Sequence, residues 1–154
     1  MTHQKSVQAF MEGAGQTVRK TPSFPTYPEK LLRSKLIIEE VWELFNKGMG
    51  ASGDLRWIDS EDQSTCTLVF TLQKTSPDDL VQVADALTDI DVVVSGTGCT
   101  YGIDLDETFE EVHRSNMSKL IEKTFNEFGK LLKGRFYSPP NLKKIISDQM
   151  NDGA

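Results

Sequence analysis

With 154 residues, 38% of them hydrophobic and 26% charged, the chain has the size of one domain and enough apolar material for a core. A net charge of −6 argues against broad nucleic-acid binding, which needs a basic surface, and no run approaches the roughly 20 apolar residues of a membrane span. Two cysteines, Cys66 and Cys99, are too few for a disulfide framework, and two histidines, His3 and His113, are too few for a structural zinc site. Met1 to Phe10 lacks the apolar stretch of a signal peptide, so the expected compartment is cytoplasmic, with neither nucleic acid nor membrane as partner.

The predicted elements, in chain order, are mostly helical. Met1 to Met11 suits a short helix closed by Gly13 and Gly15. Pro22, Pro25 and Pro28 make 21–28 an extended connection, and Pro28-Glu29 opens a helix that runs to about Lys47 before Gly48 and Gly50. Between Gly50 and Thr75 a loop and a hairpin both fit. The hairpin is favoured, with Leu55 to Ile58 pairing to Thr65 to Leu72 across Asp59 to Ser64. Ser76-Pro77-Asp78-Asp79 reads as a helix start, with Ser76 as cap, and the helix continues to about Tyr101. Gly96 and Gly98 within it mark a break or a close packing contact. Asp104 caps a helix from Leu105 to about Met117. The spacing of Leu120, Ile121, Phe125, Phe128 and Leu132 predicts more helix over 118–132. A loop over Lys133 to Pro140 and a last helix from Asn141 complete the chain. The expected fold is all-α: one domain over 1–154, a bundle of four to five helices with a small β-hairpin insertion at 54–72.

Two segments carry acids where a core face is expected. In Leu36 to Phe45 seven residues are apolar and the other three are Glu39, Glu40 and Glu43. At about 100° per residue these three share one narrow arc of the helix. In Val83 to Val94, Asp85 and Asp89 project together at i and i+4, whereas Asp91 points elsewhere, and no Lys or Arg lies inside the segment. Carboxylates gathered in apolar surroundings repel one another and lose hydration, so they call for a proton or a cation. Oxygen donors without His or Cys suit magnesium, with manganese as the alternative. Glu39, Glu40, Glu43, Asp85 and Asp89 are therefore candidate metal ligands. The competing reading is a solvated stripe, with Lys35–Glu39 and Glu43–Lys47 as i,i+4 pairs. Spacing alone leaves both open.

Glu39-Glu40-Val41-Trp42-Glu43 matches the EExxE motif of the all-α NTP pyrophosphohydrolases, which include MazG, the dimeric dUTPases and phosphoribosyl-ATP pyrophosphohydrolase, and the chain resembles that superfamily. Their second motif, ExxD, is met by Asp89 at its last position. Ala86 stands at its first, so Asp85, one residue earlier, would have to substitute. The resemblance extends to Thr17 to Pro22, to Tyr101 to Asp106, to Glu111 to Lys119 and to the Lys133-Gly134-Arg135-Phe136-Tyr137-Ser138-Pro139-Pro140 ending. It implies magnesium-dependent attack of water on the α-phosphorus of an NTP or dNTP, releasing pyrophosphate, in house-cleaning of the nucleotide pool. Glu39 and Glu40 would be the catalytic carboxylates. Asn116 and Lys119, from the N-x-x-K element, would contact substrate, with Lys133 and Arg135 closing over phosphates. It also implies a homodimer or homotetramer. The alternatives are a phosphoribosyl-ATP pyrophosphohydrolase, or a non-catalytic helical module that binds metal or nucleotide and dimerises. Trp42, Phe136 and Tyr137 are assigned to packing, and His113 to a structural or exposed position.

Overall fold

The computed structural model describes residues 1–59 and 66–152. Its elements are α1 (His3–Gly13), α2 (Tyr27–Glu43), a π-helical turn (Leu44–Gly48), β1 (Ala51–Asp59), β2 (Cys66–Lys74), α3 (Leu80–Tyr101), α4 (Leu105–Ser118), a 3-10 turn (Lys119–Ile121) and α5 (Leu142–Asp152). The fold is all-α with one small antiparallel hairpin. No helix among the described residues is long and apolar enough to cross a membrane. The chain divides into two compact units, Thr26–Val94 and Met1–Pro25 with Ser95–Ala154.

In the Thr26–Val94 unit, Thr26 and Glu29 form a reciprocal capping box that starts α2, with proline at its first turn. The helix then widens into the π turn, where the Met49 N–H reaches the Leu44 carbonyl five residues back. Gly48 ends that turn against α3. A β-carbon there would lie 2.9 Å from Val83 Cγ2 and 3.1 Å from Val83 Cα, so only glycine permits this approach. The hairpin pairs Leu55 with Phe70 and Ile58 with Thr67, and reaches further from its turn than expected, to Ala51 and Lys74. Of its expected connection, Asp59 to Ser64, Asp59 is the last residue of β1 and 60–64 lie outside the described residues. Trp42 packs beneath the hairpin at Gly53, where an added β-carbon would lie 3.3 Å from the indole.

The start of α3 differs from the sequence expectation. Ser76 does not cap it. Its N–H donates to the Gly50 carbonyl at 3.0 Å, as the Thr75 N–H does at 2.9 Å, closing the base of the hairpin. Gly50 sits at φ +61°, which glycine adopts without strain. The cap is Asp79, whose carboxylate accepts from the N–H groups of Val81 at 2.9 Å and Gln82 at 3.2 Å.

In the other unit, Val7, Met11 and Cys99 form the core, with Val18 packed against them. The Gln4 side chain joins α1 to the α3–α4 corner by donating to the Ile103 carbonyl at 2.7 Å and accepting from the Leu105 N–H at 2.8 Å. Gly98 does not break α3; it admits Gln4 and Leu105 at close range. Asp104 caps α4 as expected, accepting from Asp106 and Glu107 N–H groups.

The helix expected over 118–132 is not formed. After the 3-10 turn the chain makes a tight reversal, with Phe125 bridged to Leu131. The Asn126 carboxamide accepts from the N–H groups of Phe128 at 3.1 Å and Lys130 at 2.8 Å, and Gly129 takes φ +74°. A side chain satisfying local N–H groups competes directly with the helix ladder. The apolar spacing there lies on a turn, and Ile121, Phe125 and Phe128 are exposed.

Candidate functional site

The acids of α2 and α3 meet within the Thr26–Val94 unit. Burial pushes the Glu40 carboxyl above its ordinary range, and the negative charges of Asp89, Glu43 and Glu39 push it further in the same direction. Glu39 is exposed, while Glu40, Glu43 and Asp89 are half-buried. The approach of the π turn to Val83 at Gly48 brings the two acidic helices together.

Lys47 stands among these acids as a resident cation. Its ammonium lies 2.6 Å from the Glu43 carboxylate. That hydrogen bond raises the Lys47 pKa, partial burial opposes it, and the charges of Glu43, Asp85 and Glu40 add to the rise. The solvated-stripe reading is thus realised at Glu43–Lys47. Asp85 and Asp89 have different surroundings: Asp89 acts on Glu40, whereas Asp85 is exposed and acts on Lys47. Ala86, at the first position of the ExxD motif, is 3% exposed.

The donor chemistry fits a hard divalent cation: oxygen ligands only, with mutual repulsion that a cation relieves. As the side chains stand, no three of His, Cys, Asp and Glu among the described residues are drawn together closely enough to enclose one. Lys47, hydrogen-bonded to Glu43, supplies a positive charge among the acids.

A second cluster lies on α4 and the segment that returns to it. Glu111, Arg114, Ser115 and Ser118 fall on one helix face at i, i+3, i+4 and i+7. Each binds 137–141. Glu111 accepts from the Asn141 N–H at 2.7 Å, and Arg114 donates to Ser138 Oγ at 3.0 Å and the Pro139 carbonyl at 3.1 Å. Ser118 Oγ accepts from the Ser138 N–H at 2.9 Å, and Ser115 Oγ donates to Tyr137 Oη at 3.4 Å. Arg114 also holds Glu111 through two nitrogens at 2.8 Å. This hydrogen bonding, with the Asn141 N–H second, lowers the Glu111 pKa to about 2.

The docking brings together residues remote in sequence. Lys119 Nζ lies 5.7 Å and Lys133 Nζ 4.7 Å from the centre of the Tyr137 ring. Lys119 donates to Asn116 Oδ1 at 2.7 Å, so the two polar residues of N-x-x-K touch each other. Arg135 is differently engaged: it pairs with Glu122 and lies over the Phe136 ring at 4.7 Å. Lys119 and Lys133 are therefore gathered, and Arg135 is held by its own counter-charge. His113 stacks on Phe109 one turn away, with ring centres 6.2 Å apart. Sequence reasoning missed this docking. The repeating Glu111, Arg114, Ser115, Ser118 face was its only signal.

A helical fold whose paired helices present clustered carboxylates defines the class of the all-α NTP pyrophosphohydrolases. Residues 7–116, most of the chain, match the phosphoribosyl-ATP pyrophosphohydrolase family, and the chain belongs to that family. The matched stretch contains Glu39, Glu40, Glu43, Asp85, Asp89 and Asn116, and ends before Lys119, Lys133 and Arg135. A comparison with curated proteins gives no match. Family membership points to a hydrolase of phosphoric anhydrides acting on a nucleotide-like substrate.

Proposed function

We propose that the protein hydrolyses the α–β phosphoanhydride of a nucleotide triphosphate chain, adding water at the α-phosphorus and releasing pyrophosphate, with phosphoribosyl-ATP as the substrate. The observation that carries this reading is the acid cluster of Glu39, Glu40, Glu43 and Asp89, lying inside the stretch that matches the family. The match favours phosphoribosyl-ATP over the simple NTP or dNTP that the wider resemblance brought forward first. The matched residues do not reach the Lys133 to Pro140 segment, which resembles MazG-like and phosphoribosyl-ATP-pyrophosphohydrolase-like proteins alike, and a simple NTP or dNTP is the second substrate class to test.

Glu39, Glu40, Glu43 and Asp89 would hold magnesium or manganese, with Asp85 as a further donor. The ion, when bound, neutralises phosphate charge and lowers the pKa of the attacking water. One of the two carboxylates Glu39 and Glu40 takes the proton that water loses on attack. Lys47 leaves Glu43 for the phosphate chain, exchanging one anionic partner for another. Lys119 and Lys133 neutralise phosphate oxygens, Asn116 reads the sugar or base edge, and Arg135 contributes only when it exchanges Glu122 for substrate.

A second copy of the chain completes the assembly. Leu80, Leu87 and Val94 recur every seven residues along α3 and are all exposed, as are Val81 on α3 and Leu32 on α2. Heptad spacing of apolar residues is the pattern of a helix–helix seam.

The test is pyrophosphate release from phosphoribosyl-ATP and from a panel of NTPs and dNTPs, in magnesium and in EDTA, with Glu40→Gln alongside. Magnesium-dependent release confined to phosphoribosyl-ATP supports the main reading, and release from one dNTP supports the second. Orthophosphate instead of pyrophosphate would move the cleavage point and defeat both. Binding of magnesium and nucleotide without turnover would leave the non-catalytic module.

A further inference from the structure

The hydrogen bonding of Tyr137 leaves one valence open. Its phenol oxygen accepts from the buried Ser115 hydroxyl at 3.4 Å, and the Lys133 ammonium lies against its ring. A phenol that accepts in this way still carries its own proton. Among the described residues no acceptor receives that proton.

The charge beside it is equally incomplete. Lys119 and Lys133 both lie against the Tyr137 ring, and among the described residues neither is paired with a carboxylate. In a chain of net charge −6, two uncompensated ammonium groups converge on one open hydroxyl donor. The two ammonium groups and the phenol all donate hydrogen bonds, which is the requirement for binding an anion with several oxygens.

The arrangement is built by the fold. Four residues of α4 fasten 137–141, and Ser115, only 2% exposed, sets the phenol oxygen from beneath. A phenol on a fixed backbone segment supplies its hydrogen bond at small entropic cost, whereas the two lysines are long and must be gathered. The ring gathers them through its face.

We propose that Tyr137 is a third member of an oligophosphate-binding group with Lys119 and Lys133, donating its hydroxyl proton to a phosphate oxygen and holding both ammonium groups at its ring. This rests on the pyrophosphohydrolase reading for the identity of the anion, and it adds a residue that the family match, ending at 116, does not reach.

The first experiment is calorimetric binding of inorganic tripolyphosphate in EDTA, so that no metal held by the acids contributes. Tyr137→Phe keeps the ring and removes only the hydroxyl; Lys119→Gln and Lys133→Gln remove the charges. Lys143→Gln, on exposed α5, is the charge-matched control. Tyr137→Phe should weaken tripolyphosphate about tenfold, the scale of one charge-assisted hydrogen bond. The lysine variants should weaken it at least as much, and the control should bind as wild type. In turnover, Tyr137→Phe should raise KM with little change in kcat, because the contact serves ground and transition states alike. Wild-type affinity in Tyr137→Phe, or no tripolyphosphate binding by the wild type, overturns the proposal while leaving the hydrolase reading to its own assay. Tyr137-dependent binding in a protein that turns over no nucleotide supports the anion group and defeats the hydrolase reading.

Discussion

Glu40 shows how one residue sets a balance between folding and function. Its carboxyl is held above the ordinary range by burial first and by three neighbouring acids second, so the fold favours its protonated form. The stabilisation that this gives is present below the unfolded-state value and lost as pH rises through the folded one, leaving repulsion at neutral pH. Glu40→Gln should therefore melt higher than wild type in EDTA, by at most about 4 °C given the screening of half-exposed charges. Magnesium should raise the wild-type melting temperature by mass action and raise the variant's less. Scanning fluorimetry in EDTA and in magnesium checks both, and a variant that melts lower in EDTA would contradict the repulsion. Glu111 has the opposite sign. Held at about 2 by Arg114 and the Asn141 N–H, it gives stability that is present above 4.5 and lost as pH falls towards 2. The melting temperature of Glu111→Gln should accordingly depend less steeply on pH between those values. Equal acid limbs in the two proteins would show that the docking contributes nothing to the folded state.

Among the elements, the π turn and α3 are coupled at one atom's width. Gly48→Ala would place a β-carbon 2.9 Å from Val83 Cγ2 and 3.1 Å from Val83 Cα, and backbone cannot turn aside as a flexible side chain can. Overpacking of this kind costs about 1–3 kcal/mol. The urea midpoint should fall accordingly, and pyrophosphate release should fall more than Glu43→Asp alone lowers it, because the separation of both acidic helices changes. An unchanged midpoint would mean the contact is slack. The element boundaries follow the same logic of competing partners. Ser76 could have capped α3, but its N–H closes the hairpin at Gly50 and the cap passes to Asp79. The 118–132 segment has helical spacing, yet the Asn126 side chain satisfies the N–H groups that a helix would need.

For the whole molecule, the exposed Leu80, Leu87 and Val94 stripe leads to a prediction about assembly. Sedimentation velocity should give a species of at least two chains, and Leu87→Glu should shift it towards one, with loss of activity at low protein concentration. A wild-type protein that sediments as a single chain would remove self-association from the reading. Much of the architecture was legible without coordinates. Amphipathic spacing and glycine and proline positions located the helices and the hairpin, and three glutamates on one arc of an apolar helix marked the acid cluster. These features depend on residues within a few positions of one another, where helix and strand geometry alone sets which side chains share a face. The rest depended on where the chain returns. The separation of Asp85 from the surroundings of Asp89, the fastening of 137–141 to α4 and the meeting of Lys119, Lys133 and Tyr137 are all products of tertiary contact. Sequence periodicity assigns a residue to a face, but a partner tens of positions away is chosen only when packing brings the two together and the buried polar groups must be satisfied.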